Sequence, residues 1–86
     1  MIFRLPRNYQ FLNRLPEEFD LTVSHRVNEI EDGIWFYVRI GEHELNLLSK
    51  IELIPEKRYR VRRKDHLTLE LISEEKTEGI DPGRWA

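Results

Sequence analysis

The stretch "LTVSHRVNEIEDGIWFYVRIGEHELNLLS" (Leu21–Ser49) decides the fold. Apolar and polar residues alternate with a period of two, the signature of half-buried strands. Two glycine turns divide it. Asp32-Gly33 predicts a type I′ hairpin turn and Gly41-Glu42 a type II′ turn. Two-residue loops fix the register. Around the first, Val27 is expected to face Val38, His25 to face Ile40 and Ile30 to face Trp35. Around the second, Val38 faces Leu45, Phe36 faces Leu47 and Arg39 faces Glu44. An apolar row and a cross-strand ion pair follow together. The result is a three-stranded meander over roughly residues 20–30, 34–40 and 43–48.

A second hairpin lies downstream. "KRYRVRRKDHLTLEL" (Lys57–Leu71) puts Arg58, Arg60, Arg62 and Lys64 at every second position. A three-residue turn over Lys64-Asp65-His66 sets Arg63 opposite Leu67, Val61 opposite Leu69 and Tyr59 opposite Leu71. The other face pairs Arg62 with Thr68 and Arg60 with Glu70. Between meander and hairpin, Ser49-Lys50-Ile51-Glu52 has the spacing of a capping box, predicting one helical turn that ends before Pro55.

Upstream, Pro6 and Pro16 bracket a segment in which Tyr9, Phe11, Leu12 and Leu15 have helical spacing. Asn8 is the expected N-cap, giving a short helix over 8–15. So short a helix is marginal alone and needs an apolar partner. Residues 74–86, "EEKTEGIDPGRWA", are polar and turn-rich and predict a flexible tail. The expected fold is mostly β: one domain over residues 1–73, a small five-stranded barrel that is OB-like, with an SH3-like barrel as the rival.

Composition bounds the function. The 86 residues suit one domain with one modest core. With 40% hydrophobic and 35% charged residues, the chain is too apolar for disorder and too charged for a membrane protein. No apolar run approaches the roughly 20 residues of a spanning helix. The N-terminus lacks a leader pattern, so a cytoplasmic location is expected. With no cysteine, disulfides and thiolate chemistry are excluded. The net charge of −2 argues against nucleic-acid binding driven by overall charge, though not against a local patch. High charge with few thermolabile residues is a thermophile-like composition.

The stretch from Val23 to Leu71 resembles the small β domain of flagellar hook-length control proteins. The likeness lies in "DGIWFYVRIGEHEL", "LIPEKRYRVRR" and "LTLEL": a hairpin with a glycine turn, a Leu-Pro-type turn into an alternating strand, and a final apolar strand. It covers about half the chain. The sequence departs from the pattern at Ile54-Pro55-Glu56-Lys57, where a glycine is expected after the proline. The chain also shows neither that family's long disordered region nor its second domain. The resemblance therefore implies a small β domain and no more.

No catalytic set is visible. His25, His43 and His66 lack the helical spacing of a metal pair, although His25 and His43 are both expected near Ile40. Ser24 and His25 are adjacent on a strand and so are expected to point to opposite faces. No cofactor and no metal are expected. Three features remain as binding candidates. The first is the cationic row Arg58, Arg60, Arg62 and Lys64, which can contact phosphates or an acidic protein segment, or simply stay solvated and blunt an edge strand. The second is the outer meander face, with Trp35, Tyr37, Arg39 and Arg26, where aromatics and arginines suit single-stranded nucleic acid. The same aromatics can instead receive the N-terminal helix through Phe11, Leu12 and Leu15. The third is Trp85, a candidate partner motif. The balance favours a non-enzymatic module that binds a protein partner or assembles with itself. An OB-type binder of single-stranded nucleic acid is the alternative.

Overall fold

The computed structural model describes residues 1–74. Its elements are β1 (Ile2–Arg4), a 3₁₀ turn (Gln10–Arg14), β2 (Glu18–Ile30), β3 (Gly33–Ile40), β4 (His43–Ser49), β5 (Arg58–Asp65) and β6 (Thr68–Glu74). They form a closed barrel in the order β1-β4-β3-β2-β5-β6, every neighbour antiparallel. The barrel thus has six strands, not five. The added strand, β1, is only three residues long, too short to show a period. It pairs with β4 at Arg4↔Leu48 and with β6 from Ile2↔Glu70 to Arg4↔Thr68. That wedge joins the meander to the last hairpin, and Phe3 at its centre is fully buried.

The β3–β4 register is the expected one, with Val38 opposite Leu45, Phe36 opposite Leu47 and Arg39 opposite Glu44. Gly41 takes φ +61 in the intervening turn. The β2–β3 register differs. Ile30 pairs with Gly33, so the loop is Glu31-Asp32, and register shifts at Ser24 and Val27 bring Val23, not Val27, opposite Val38. His25 faces Tyr37 rather than Ile40, and Trp35 faces Asn28 rather than Ile30. Each bulge adds one residue to β2 alone, and a two-residue-loop count cannot foresee that. Gly33 is required by contact. A Cβ there would lie 2.6 Å from the Ser49 carbonyl oxygen, at a φ of +150.

The last hairpin turns at His66-Leu67, with Asp65 opposite Thr68. Arg63 therefore faces Leu69, Val61 faces Leu71 and Arg62 faces Glu70, while Arg60 faces Ser73. The Asp65 carboxylate accepts from the Leu67 N–H at 2.8 Å and so stabilises the tighter turn. The slip from the expected register is two residues at Val61, Arg62 and Arg63, so their inward and outward faces keep their identity, and three at Arg60 and Tyr59, past the register shift between Arg60 and Val61.

Phe19, Leu21, Val23, Ile34, Phe36, Val38, Leu45, Leu47, Tyr59, Val61 and Leu69 fill the barrel. Its two ends are plugged. The 3₁₀ turn follows the C-terminal end of β1, and the β4–β5 loop follows the C-terminal end of antiparallel β4, so they lie at opposite ends. Each contributes one buried leucine, Leu12 and Leu53. The Arg63 guanidinium donates to the carbonyls of Leu12 and Leu15, tying the 3₁₀ turn to β5. The Ile54 N–H donates to the buried Tyr59 hydroxyl at 3.0 Å, tying down the other plug.

Two expected helical pieces are replaced. The N-terminal segment is a 3₁₀ turn preceded by Tyr9 with no side-chain cap, so Asn8 is not an N-cap. Ser49 makes a local turn instead of a capping box: its hydroxyl accepts from the Ile51 N–H at 3.1 Å, and Glu52 turns to Arg26. The expected flexible tail, with Trp85, lies outside the described residues apart from Glu74, which ends β6.

Candidate interaction surfaces

The arginines of the cationic row share one side of β5: Arg58, Arg60 and Arg62 are exposed and lie opposite Thr22, Asp20 and Glu18, while Lys64, also exposed, falls at the register shift between Arg63 and Asp65. The arginines stand that way because Tyr59 and Val61 occupy the inward positions. The first half of β2 lies beside them, with Glu18 opposite Arg62, Asp20 opposite Arg60 and Thr22 opposite Arg58. The Arg62 guanidinium lies 2.9 Å from Glu18 and 3.7 Å from Glu70; that of Arg60 lies 3.2 Å from Asp20 and 3.8 Å from Glu18. A continuous ladder, Glu70–Arg62–Glu18–Arg60–Asp20, therefore crosses three strands. The hydrogen bond to Glu18 raises the Arg62 pKa further, and the charges of Glu18 and Glu70 add to it. Each exposed pair is worth only about 0–1 kcal/mol, but together they offset the repulsion within the row. Arg58 and Lys64 have no acidic partner among the described residues. A hollow beside Arg58 and Arg60 is lined also by Asp20, Ser73 and Glu74, so an anion entering it meets both signs.

The sequence alone did not put Glu18 and Asp20 beside this row. The signal that could have found them is the alternation Glu18-Phe19-Asp20-Leu21, which continues the β2 pattern upstream. What it could not supply is the non-local pairing of β2 with β5.

The outer face of β3 carries Trp35, Tyr37 and Arg39, each half-buried between the inward Ile34, Phe36, Val38 and Ile40. Trp35 lies opposite Asn28 and Leu48, and Tyr37 opposite His25 and Asn46. The Tyr37 and His25 rings are 5.4 Å apart. The adjacent Glu44 carboxylate, close enough to accept from the Tyr37 hydroxyl, pushes that phenol's pKa up, with desolvation adding to it. The arginines of this face are engaged: Arg39 with Glu56 at 3.3 Å, and Arg26 with Glu29 at 2.6 Å and Glu52 at 3.9 Å.

The N-terminal segment packs on the barrel end. Leu12 enters the core, Phe11 stacks on His43 at 4.0 Å between ring centroids, and Tyr9 meets Phe11 edge-on. Tyr9 lies near enough to Tyr37 to add to the rise in its pKa. The expected docking of Phe11, Leu12 and Leu15 over Trp35 is thus replaced by a plug, because those apolar side chains find the open barrel mouth.

The histidines are not gathered. His43 is stacked under Phe11, His25 lies beside Tyr37, and His66 sits in the β5–β6 turn. No group of three metal-ligating side chains occurs among the described residues. One local expectation is overturned: the Ser24 hydroxyl lies 3.1 Å from His25 Nδ1. The register shift at Ser24 breaks the strict alternation that would have kept the two apart. The pair is exposed. Among the described residues, the side-chain hydrogen bonds of His25 include no carboxylate to orient the ring.

No helix among the described residues is long and apolar enough to cross a membrane. No protein-family model matches the chain, and no curated protein or solved structure matches it, so the resemblance to the hook-length control domain rests on the pattern of residues 23–71 alone.

Proposed function

We propose that this chain is a non-catalytic β-barrel interaction module of the cytoplasm, binding a protein segment or assembling with itself. The barrel is read as OB-like. A three-strand meander (β2-β3-β4) is followed by β5, which returns beside β2, and by β6, which lies beside β5. That is the order of an OB barrel, with β1 filling the seam between its third and fifth strands. An SH3-like order is the less economical description.

The observation that carries the protein-binding reading is the acid ladder on the cationic row. Arg60 and Arg62, the centre of the row, already face carboxylates within 4 Å. A polyanion would have to displace Glu18, Asp20 and Glu70 and then meet their charge. A protein segment of mixed charge needs no such exchange. The alternative, an OB-type binder of single strands, is favoured by one feature: Trp35 and Tyr37 stand half-exposed on the face that OB barrels use for stacking.

Titration with a mixed-sequence single-stranded oligonucleotide at physiological salt separates the two. The expected result is no binding tighter than tens of micromolar, near the non-specific range. Sub-micromolar, salt-sensitive affinity that is lost on Arg60→Glu and falls by about 1–3 kcal/mol on Trp35→Ala would overturn the choice and establish the alternative.

A further inference from the structure

Trp35 and Tyr37 stand two positions apart on the outer face of β3, half-buried, with Cα atoms about 7 Å apart along the strand. Among the described residues Tyr37 meets the His25 ring, but no ring contact joins Trp35 to Tyr37. Asn28 and Asn46, both exposed, lie opposite Trp35 and Tyr37 respectively. Neither amide, nor the Trp35 indole N–H, donates to a protein acceptor among the described residues. No buried side-chain nitrogen or oxygen among them lacks a partner, so all three donors reach solvent. Glu44 stands exposed on β4, on the same face and beside the Tyr37 hydroxyl. Its cross-strand neighbour Arg39 turns to Glu56 at 3.3 Å, which leaves the Glu44 carboxylate without a cation among the described residues.

We propose that this face binds a proline-rich protein segment in the polyproline II conformation, with an arginine or lysine next to the prolines. The proposal rests on the module reading above and names the class of its protein partner. A polyproline II segment makes no internal hydrogen bonds and leaves its carbonyls free, while proline has no N–H to satisfy. It therefore asks for donors and apolar surface, not for acceptors. The face supplies that set: one indole N–H and two amides around two aromatic rings. These are side-chain donors, as docking on a sheet face requires, because the backbone groups of β3 are already spent on β2 and β4.

Spacing and charge fit the same ligand. A pyrrolidine ring in contact with aromatic side chains on both sides needs about 7–8 Å between them, twice the usual carbon–carbon contact distance. The separation of Trp35 and Tyr37 along β3 matches that. The segment is already extended before it binds, so little ordering entropy opposes docking on a fixed sheet. A basic residue beside the prolines then meets Glu44. A single strand of nucleic acid would offer bases to the rings but would bring its phosphates beside that carboxylate. The contact is short and exposed, and the expected dissociation constant is about tens to hundreds of micromolar.

NMR titration of the whole chain with a peptide of about ten prolines ending in one arginine, and with the same peptide lacking the arginine, tests the proposal. The expected result is saturable shifts of the Trp35 indole N–H and of the Asn28 and Asn46 side-chain amides. Trp35→Ala should weaken both peptides at least about tenfold; the side chain points away from the barrel, and an otherwise unchanged amide spectrum checks the fold. Glu44→Gln, at an exposed position, should weaken the arginine peptide by about threefold to fivefold and leave the arginine-free one unchanged. No shift at millimolar peptide overturns the proposal. So does affinity indifferent to Trp35→Ala, or a Glu44→Gln effect that is absent or equal for the two peptides. The oligonucleotide titration judges the module reading separately. A chain that binds neither probe loses this proposal alone, and one that binds the oligonucleotide through Trp35 at sub-micromolar affinity loses both.

Discussion

The two halves of β2 lie on one continuous strand and obey different rules. From Glu18 to Val23, Phe19, Leu21 and Val23 point inward and Glu18, Asp20 and Thr22 outward, with β5 alongside. From Ser24 to Ile30 no side chain is buried, and one neighbour has gone. Strand propensity does not distinguish the halves, since Val27 and Ile30 are as β-prone as Val23. The number of flanking strands does. A residue becomes core when sheet covers it from both sides. The first expected effect is the largest: Leu21→Ala, at a position only 1% exposed, destabilises by about 2–5 kcal/mol, while Val27→Ala stays within about 0.5 kcal/mol. Urea unfolding of both variants decides it. Comparable losses would break the contrast between the halves.

The second half is nonetheless anchored at its far end. Gly33 sits where the hairpin enters β3 and lies against the backbone of Ser49 on β4. Gly33→Ala must push a Cβ into a carbonyl oxygen at an unfavourable φ, and an expected loss of about 1–3 kcal/mol follows. Gly41→Ala meets open space and only the positive φ of +61, so its expected cost is near 1 kcal/mol. Thermal unfolding of the two variants sharpens the comparison. If Gly41→Ala costs more, close packing is not what fixes the exposed hairpin.

Acid reaches the two regions differently. The carboxylate of Asp65, at the turn joining β5 to β6, is held below its usual 3.8 by the Leu67 N–H, with the Thr68 hydroxyl next in effect. A carboxyl whose folded pKa is depressed contributes stability above its unfolded value, and loses it as pH falls through the folded one. The contribution of Asp65 is therefore complete above about pH 5 and fades below about pH 4. An NMR titration of its carboxyl should show a midpoint below 3.8. Asp65→Asn should flatten the acid limb of the stability curve in that window. A midpoint at or above the usual value would remove the turn from this account.

The legible part of the fold was the part governed by adjacent residues. Gly41-Glu42 set the β3–β4 register correctly because a two-residue loop leaves no slack there. The β2–β3 register was hidden twice: the turn is Glu31-Asp32 rather than Asp32-Gly33, and the extra residues at Ser24 and Val27 then shift the pairing again, with nothing in the local sequence to mark them. In the last hairpin a slip of two residues kept Val61 and Leu69 in the core but changed the salt partners, so Glu70 answers Arg62 and not Arg60. The arginine row was readable as a row. Its neutralisation was not, because Glu18 lies 44 positions upstream of Arg62 and Asp20 lies 40 upstream of Arg60. β1 lay below any periodic signal, and its role follows only from closure of the barrel.

The smallest expected effect concerns the place where the β5 side of β2 ends. Ile54-Pro55-Glu56-Lys57 forms a tight turn, closed by the Lys57 N–H donating to the Ile54 carbonyl at 3.1 Å. Pro55 supplies the fixed φ of the turn's second position, and Glu56 takes a φ of +66, the left-handed region that a type II turn reserves for glycine. This is the position where the sequence pattern calls for glycine after the proline. A non-glycine residue in that region costs about 1–2 kcal/mol. Glu56 offsets part of that cost through Arg39, 3.3 Å away across β2, but the pair is exposed and worth about 0–1 kcal/mol. Glycine also loses more backbone freedom on folding. Glu56→Gly should therefore stabilise the barrel slightly, by about 0.5–1 kcal/mol, seen as a higher urea midpoint with an unchanged slope. Glu56→Gln keeps the strain and removes the charge, so it should lose only the ion pair. If the glycine variant is the less stable of the two, the contact with Arg39 outweighs the backbone strain, and Glu56 is held there to fix Arg39 beside the open edge.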